Sequence, residues 1–284
     1  MAGILYLVGT PIGNLEDMTL RGIRTLKEAD LIAAEDTRTS RRLLDAYGII
    51  TPLTSYHKFN EEEKGEALLG RLLSGESVAL ITDAGMPGIS DPGEVLVRKC
   101  REHHVEVTAV PGPAACITGL AISGADTRAF VFEGFLPADN RDKKRVLERM
   151  KTETRTMVFY EAPHRLRKTL AVFGETVGSD RGITLCRELT KKFEEVRRLS
   201  IEEALKETEE REPRGEYVVI VDGISEEALA ADRAKGFAGM DAAEHVAMYE
   251  RQGMTRKEAM KAAAADRGIP KRELYAALLK EQEG

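Results

Sequence analysis

Over the first 124 residues, short apolar runs alternate with stretches of helical spacing. Residues 4–8, 31–34, 78–81 and 105–110 read as strands, and residues 19–28, 39–47, 60–73 and 94–103 as helices. Leu68, Leu69, Leu72 and Leu73 give the third helix its apolar stripe. Such alternation predicts a mostly parallel sheet covered on both faces. In such sheets the binding site lies beyond the carboxyl ends of the strands. Three glycine-rich segments fall at those ends: GTPIGN (9–14), DAGMPGISDPG (83–93) and PGPAA (111–115).

A second block, 126–222, carries apolar runs at 129–132, 156–160, 182–186 and 217–221, with a more polar strand candidate at 194–199. Helical stretches at 139–150, 164–173 and 201–210 separate them, which predicts a second α/β domain with a mixed sheet. From Glu226 the chain turns Ala-, Glu- and Lys-rich, with helices expected at 241–252, 255–266 and 271–281. Thr255 with Glu258 three residues on is a capping box, and Gly268-Ile269-Pro270 is a tight turn. Helix, short turn, helix is the helix-turn-helix pattern. The expected organisation is therefore 1–124, an α/β domain with the ligand loops; 125–235, a second α/β domain; and 236–284, a helical tail.

Composition narrows the class. At 284 residues, 42% hydrophobic and 32% charged, the chain is long enough for two cored domains. A net charge of −6 excludes a wholly basic surface, so nucleic acid would need a local patch. Between Arg256 and Arg272, six basic residues face two acidic ones, which suits RNA or a solvated helical cap. The cysteines, Cys100, Cys116 and Cys186, fit a reducing cytoplasm and form no disulfide framework. No apolar run approaches membrane length, and His103 and His104 lack ligand spacing, so neither a membrane span nor a metal is expected.

The glycine loops first suggest phosphate binding, but GxxxxGK[ST] is absent and no GxGxxG follows the first strand. Asp83 and Asp91 would repel a polyphosphate unless a metal intervened. Two carboxylates and exposed carbonyls suit a cationic ligand rich in donors, such as S-adenosyl-L-methionine (SAM). The bland alternative is a tight connection that binds nothing.

Seven segments occur in one order: VGTPIGNLEDMTLRG, AAEDTRTSRRLL, ITDAGMPGISDPG, VPGPAA, FEGFLP, FYEAPHRL and CRELTKKFEE. Together they resemble the tetrapyrrole methylase superfamily of SAM-dependent transferases. Within it they resemble the branch that methylates the 2′-hydroxyl of a cytidine in the decoding region of 16S RNA, in the small ribosomal subunit. The resemblance implies two α/β domains with the active site in the cleft between them, a small helical tail, SAM as cofactor and a homodimer. Carried over, Pro11, the 83–91 loop with Asp83, Gly85, Met86, Pro87 and Ser90, and Ala114 and Ala115 would line the cofactor pocket. Tyr160 and Glu161, and the region near Gly215 and Glu216, are further candidates from the second domain.

For the chemistry, Asp36 is a candidate base or ribose ligand, and equally a helix N-cap. Glu161 stands at a strand end before Pro163 and could accept a proton, while His164 suits the helix entry. Lys191 could depress the pKa of an acceptor hydroxyl or clamp a phosphate. Arg38, Arg41, Arg42 and Lys192, with Arg256, Lys257, Lys271 and Arg272 in the tail, are the RNA-binding candidates. Two competing readings stay open: a methylase of a tetrapyrrole or other small molecule, and a non-catalytic RNA-binding scaffold.

Overall fold

The computed structural model describes residues 2–237 and 239–282. Strands β1 (Ile4–Val8), β2 (Leu31–Ala34), β3 (Leu53–Ser55), β4 (Val78–Ile81) and β5 (Glu106–Val110) form a wholly parallel sheet in the order β3-β2-β4-β1-β5. Helices α1 (Leu20–Glu28) and α2 (Thr37–Ala46) cover one face through Leu26 and Leu44. Helices α3 (Glu61–Leu73) and α4 (Glu94–Glu102) cover the other through Leu68, Leu72 and Leu96. With both faces covered, every residue of β2 and β4 is buried, so these strands read as continuous apolar runs rather than alternating ones.

The second sheet runs β6 (Phe130–Phe135), β7 (Thr156–Glu161), β10 (Tyr217–Val221), β8 (Gly182–Arg187) and β9 (Glu195–Ser200). Only β6 and β7 pair in parallel; the other pairings are antiparallel. Helices α6 (Asn140–Met150), α7 (Pro163–Val177) and α8 (Ile201–Glu210) close one face around Phe159 and Phe173. On the opposite face lies α5 (Ala115–Ile122), whose Cys116 and Leu120 pack with Val158, Val218 and Ile220.

Three of the strands and α-helices were not read from the sequence. β3 has one apolar residue among three, and α5 is apolar all round, without an amphipathic stripe. The third, α9 (Glu226–Gly236), buries only Leu229. Two of them pack away from their neighbours in sequence. α5 follows β5 directly in sequence but packs on the second sheet. Likewise α9 packs against α11 (Arg256–Asp266) of the tail.

The tail is completed by α10 (Ala242–Arg251) and α12 (Lys271–Gln282), packed with α11 around Val246, Met260, Ala263 and Leu274. Thr255 and Glu258 form the expected capping box, and Gly268 makes the turn before α12 at φ +63°. Among the described residues, no helix is long and apolar enough to cross a membrane.

Candidate active site

The three glycine loops meet at the carboxyl edge of the first sheet. Thr10 N–H donates to Gly85 O at 2.9 Å, and Gly85 N–H returns to Thr10 O at 3.1 Å. The Thr10 hydroxyl donates to Thr82 O at 3.1 Å, and Gly9 N–H to Val110 O at 3.1 Å. At Gly9 the backbones touch: a Cβ there would lie 2.7 Å from both Gly112 Cα and Met86 Sδ. Glycine is required at this crossing because no side chain fits between the loops. Gly85 and Gly88 hold φ of +81° and +79°, and Ser90 adopts φ +64° without the excuse of being glycine. The loop is a shaped backbone cradle whose form depends on Gly9, Gly85 and Gly88 and on a left-handed Ser90.

Carboxylates stand along this cradle. Asp36 N–H donates to Asp83 Oδ1 at 3.2 Å, and Asp83 N–H to Glu35 Oε2 at 3.5 Å, which pins the end of β2 to the end of β4. Burial raises the pKa of Glu35 and of Asp83, with repulsion from neighbouring acids adding to it. Asp91 is pushed up to about 6 by burial and then by Glu35 and Asp83. Three neighbouring carboxylates whose charges oppose one another, Glu35 and Asp91 half-buried and Asp83 exposed, favour a cationic ligand. A sulfonium and an ammonium on one molecule fit that demand, and the glycine backbone fits close approach by the rest of it.

The second domain faces the cradle with side chains. A bulge in β6 between Phe132 and Gly134 brings the strand toward the first domain, where a Cβ on Gly134 (φ +66°) would sit 3.0 Å from Ser90 Oγ. The Tyr160 ring lies edge-on to Phe132 and Phe135 at 5.0 and 5.7 Å, and its hydroxyl accepts from Cys116 N–H at 3.2 Å. Burial raises the Tyr160 pKa, so it stays a neutral wall. Lys191 Nζ donates to Glu188 Oε1 and Glu216 Oε2, both at 2.9 Å, while its stem lies on Gly13 of the first glycine loop. Burial works against the Lys191 charge, but the two carboxylates outweigh it and its pKa is raised. Glu188 and Thr190 in this loop take φ of 51° and 65°. Left-handed non-glycine residues are costly to hold and cluster at functional sites.

The remaining candidates divide by what they touch. Asp36 is the N-cap of α2, accepting from Arg38 N–H at 2.7 Å and pairing with its guanidinium at 3.1 Å. Those bonds hold the Asp36 carboxyl down to about 2, which makes it a poor proton acceptor near neutrality. Glu161 is buried, accepting from Ala162 N–H at 2.9 Å and the Thr169 hydroxyl at 2.6 Å, with Arg165 Nε at 3.4 Å. It fixes the entry into α7 beside Tyr160. Pro11 and Pro87 are buried under the cradle, and Ala114 and Ala115 start α5 beside Ile12 and Tyr160. Arg38, Arg41, Arg42 and Lys192 are exposed; Arg38 and Arg41 line a shallow depression with Thr54 and Ser55. Arg256 and Lys257 start α11 and Lys271 and Arg272 start α12, all exposed and away from the cradle loops in sequence. The sequence reading missed Thr10 as the pin, Gly112 as the partner of Gly9, and Gly134; a fixed glycine pair 103 positions apart leaves no periodic signal.

The sequence profile described as Tetrapyrrole (Corrin/Porphyrin) Methylases matches residues 4–205, which include both sheets up to α8 except β10. The chain belongs to the tetrapyrrole methylase family. It is 47% identical over 273 residues to the ribosomal RNA small subunit methyltransferase I of Bacillus subtilis (strain 168), covering 96% of this chain and 93% of that one. It is 41% identical over 284 residues to the protein of the same name from Escherichia coli O157:H7, covering 99% and 96%. Among solved structures, diphthine synthase shares the fold at a TM-score of 0.62 and 13% identity, covering 78% of this chain and 89% of that one. As a methyltransferase of this family, the protein takes its methyl group from SAM. The acid-lined glycine cradle is where this chain's residues fit that cofactor.

Proposed function

We propose that the protein methylates the 2′-hydroxyl of a cytidine in the decoding region of 16S ribosomal RNA, acting as a cytoplasmic homodimer. One observation carries the RNA reading: relatives named for small-subunit RNA match over 96% and 99% of the chain, tail included, whereas the family profile stops at residue 205. Bound SAM would supply an electrophilic methyl group whose sulfur leaves as a neutral thioether, so the acceptor hydroxyl has only its proton to lose.

Catalysis then rests on alignment and on charge placement. Glu35, Asp83 and Asp91 hold the donor's positive charge and orient it, while the backbone at 85–88 and 112–115 fixes its remaining polar groups. Tyr160, Phe132 and Phe135 exclude water from the second wall. Lys191, kept protonated by Glu188 and Glu216, lies against the first loop and lowers the pKa of the acceptor hydroxyl or grips the adjoining phosphate. Asp36 and Glu161 position these groups through α2 and α7. Arg38, Arg41, Arg42, Lys192 and the tail residues Arg256, Lys257, Lys271 and Arg272 supply phosphate contacts.

The test is transfer of labelled methyl from SAM to unmodified small ribosomal subunits, followed by digestion to nucleosides. Labelled 2′-O-methylcytidine is expected. SAM binding by calorimetry without such transfer would move the acceptor to a small molecule, and absence of both would leave a scaffold.

A further inference from the structure

Two of the exposed large apolar side chains follow a lysine on opposite walls of the cleft. Phe59 is 98% exposed in the segment His57-Lys58-Phe59, and Phe193 is 63% exposed in Lys191-Lys192-Phe193. Neither exposure is accidental looseness. The first segment leaves the carboxyl end of β3 behind fully buried Tyr56, whose N–H donates to Ala34 O at 2.8 Å. Its turn is closed by Asn60 N–H to His57 O and by His57 N–H to Asn60 Oδ1, both at 2.8 Å, with the His57 ring edge-on to Phe59. The second segment is held by the left-handed Glu188 and Thr190 and by Thr190 N–H to Glu194 Oε2 at 2.6 Å. Lys192 Nζ stands 5.7 Å over the Phe193 ring.

Each segment is also tied to a different cofactor loop. Glu61, directly after the first turn, accepts from Gly93 N–H at 3.1 Å at the end of the 83–93 loop, and the Lys58 charge reaches both Glu35 and Asp91. Lys191, beside Phe193, packs on Gly13 of the 9–14 loop. An aromatic face next to a cation, presented rigidly at the rim of a methyl-transfer site, matches what unpaired nucleotides need: a surface for the base and a charge for the phosphate. Arg38 and Arg41, beside Ser55 where the first segment begins, extend that charge.

We propose that Lys58-Phe59 and Lys192-Phe193 are two stacking platforms that hold unpaired bases on either side of the methylated ribose. The substrate strand is thereby splayed across the cleft, and the enzyme takes its nucleotide from a single-stranded stretch. This rests on the RNA reading above.

The test uses Phe59→Ala and Phe193→Ala in the full chain, with Phe59→Trp and Phe193→Trp as rescues. Each alanine variant should raise KM for small subunits by roughly 5- to 160-fold, the range that one stacked base contributes. Tryptophan should restore it, and SAM affinity and light-scattering mass should stay as in the parent. Unchanged KM in both alanine variants, with the parent active, would overturn the platforms alone. A changed mass would overturn them by making these faces contacts between copies. A parent that transfers no methyl to RNA would overturn the RNA reading itself and the platforms with it.

Discussion

Where the first domain meets the cleft it offers backbone, shaped by Gly9, Gly85, Gly88 and Gly112 and stiffened by Pro87 and Pro92; where the second domain meets it, it offers side chains, Tyr160 near the end of β7 and Lys191, Glu188 and Glu216 in the loops beside it, where Glu188 and Thr190 are left-handed. The difference follows from what each wall has to hold. A cofactor that is the same at every turnover suits a fixed cradle with close backbone approach. An acceptor that must be gripped, polarised and released suits charged side chains that respond to it. The two walls should accordingly fail in different ways.

The largest effect is expected at the crossing of the loops. Gly9→Val places carbon where Gly112 Cα and Met86 Sδ already stand, at 2.7 Å, and backbone there cannot move aside cheaply. Overpacking of this kind costs about 1–3 kcal/mol, and the loops must part to relieve it. SAM binding measured by calorimetry should fall below detection. Gly70→Ala is the control: nothing lies within 4 Å of that Cβ in α3, so cofactor affinity should hold and the melting temperature should not fall. Equal loss in both variants would show that the crossing has no special role.

On the other wall, Lys191→Met keeps the stem that packs on Gly13 and removes only the charge. Methyl transfer should fall by about a hundred-fold, the size of effect that removing one electrostatic contact at a reacting group produces. SAM affinity should shift by about threefold at most. A parallel loss of cofactor affinity would show that Lys191 serves the donor wall instead.

How much of this contrast was legible in the sequence depends on range. The cradle was visible because glycine, proline and aspartate cluster within a few residues of a strand end, and local chain geometry alone explains them. The Thr255 capping box was legible for the same reason, its partners being three residues apart. The Lys191 cluster was half visible: Glu188 is a neighbour, but Glu216, 25 residues on and directly before β10, arrives by antiparallel pairing that no local pattern encodes. Phe59 and Phe193 passed unnoticed because a phenylalanine in sequence reads as core, and only the folded chain shows them facing solvent.

A smaller effect is expected from the tail, which packs its own core around Val246, Met260 and Leu274. Truncation after Ile224 removes α9 to α12 together and leaves both sheets intact. SAM affinity should change by less than about twofold, since no cradle residue is lost, while methylation of small subunits should fall by about tenfold through lost phosphate contacts. Full turnover by the truncated chain would reduce the tail to a cap.

The smallest and most specific effect concerns the charge of the cradle. Asp91 has its pKa raised to about 6 in the folded protein, mainly by burial and then by Glu35 and Asp83, with Lys58 pulling the other way. An acid raised in this way favours the protonated form in the empty site. Its contribution to stability is fully present below the unfolded value, near 3.8, and is lost as pH rises through about 6. The cationic donor selects the ionised form, so SAM affinity should rise as pH climbs through the same window, by at most about tenfold per unit of pH for one proton. Below the midpoint, binding should release a proton, seen as a calorimetric enthalpy that varies with the ionisation heat of the buffer. Asp91→Asn should weaken binding at neutral pH and flatten the profile, leaving only the slope from Glu35 and Asp83, whose pKa values are raised as well. A profile just as steep in the asparagine variant would place the titrating charge on those two residues and make Asp91 a bystander.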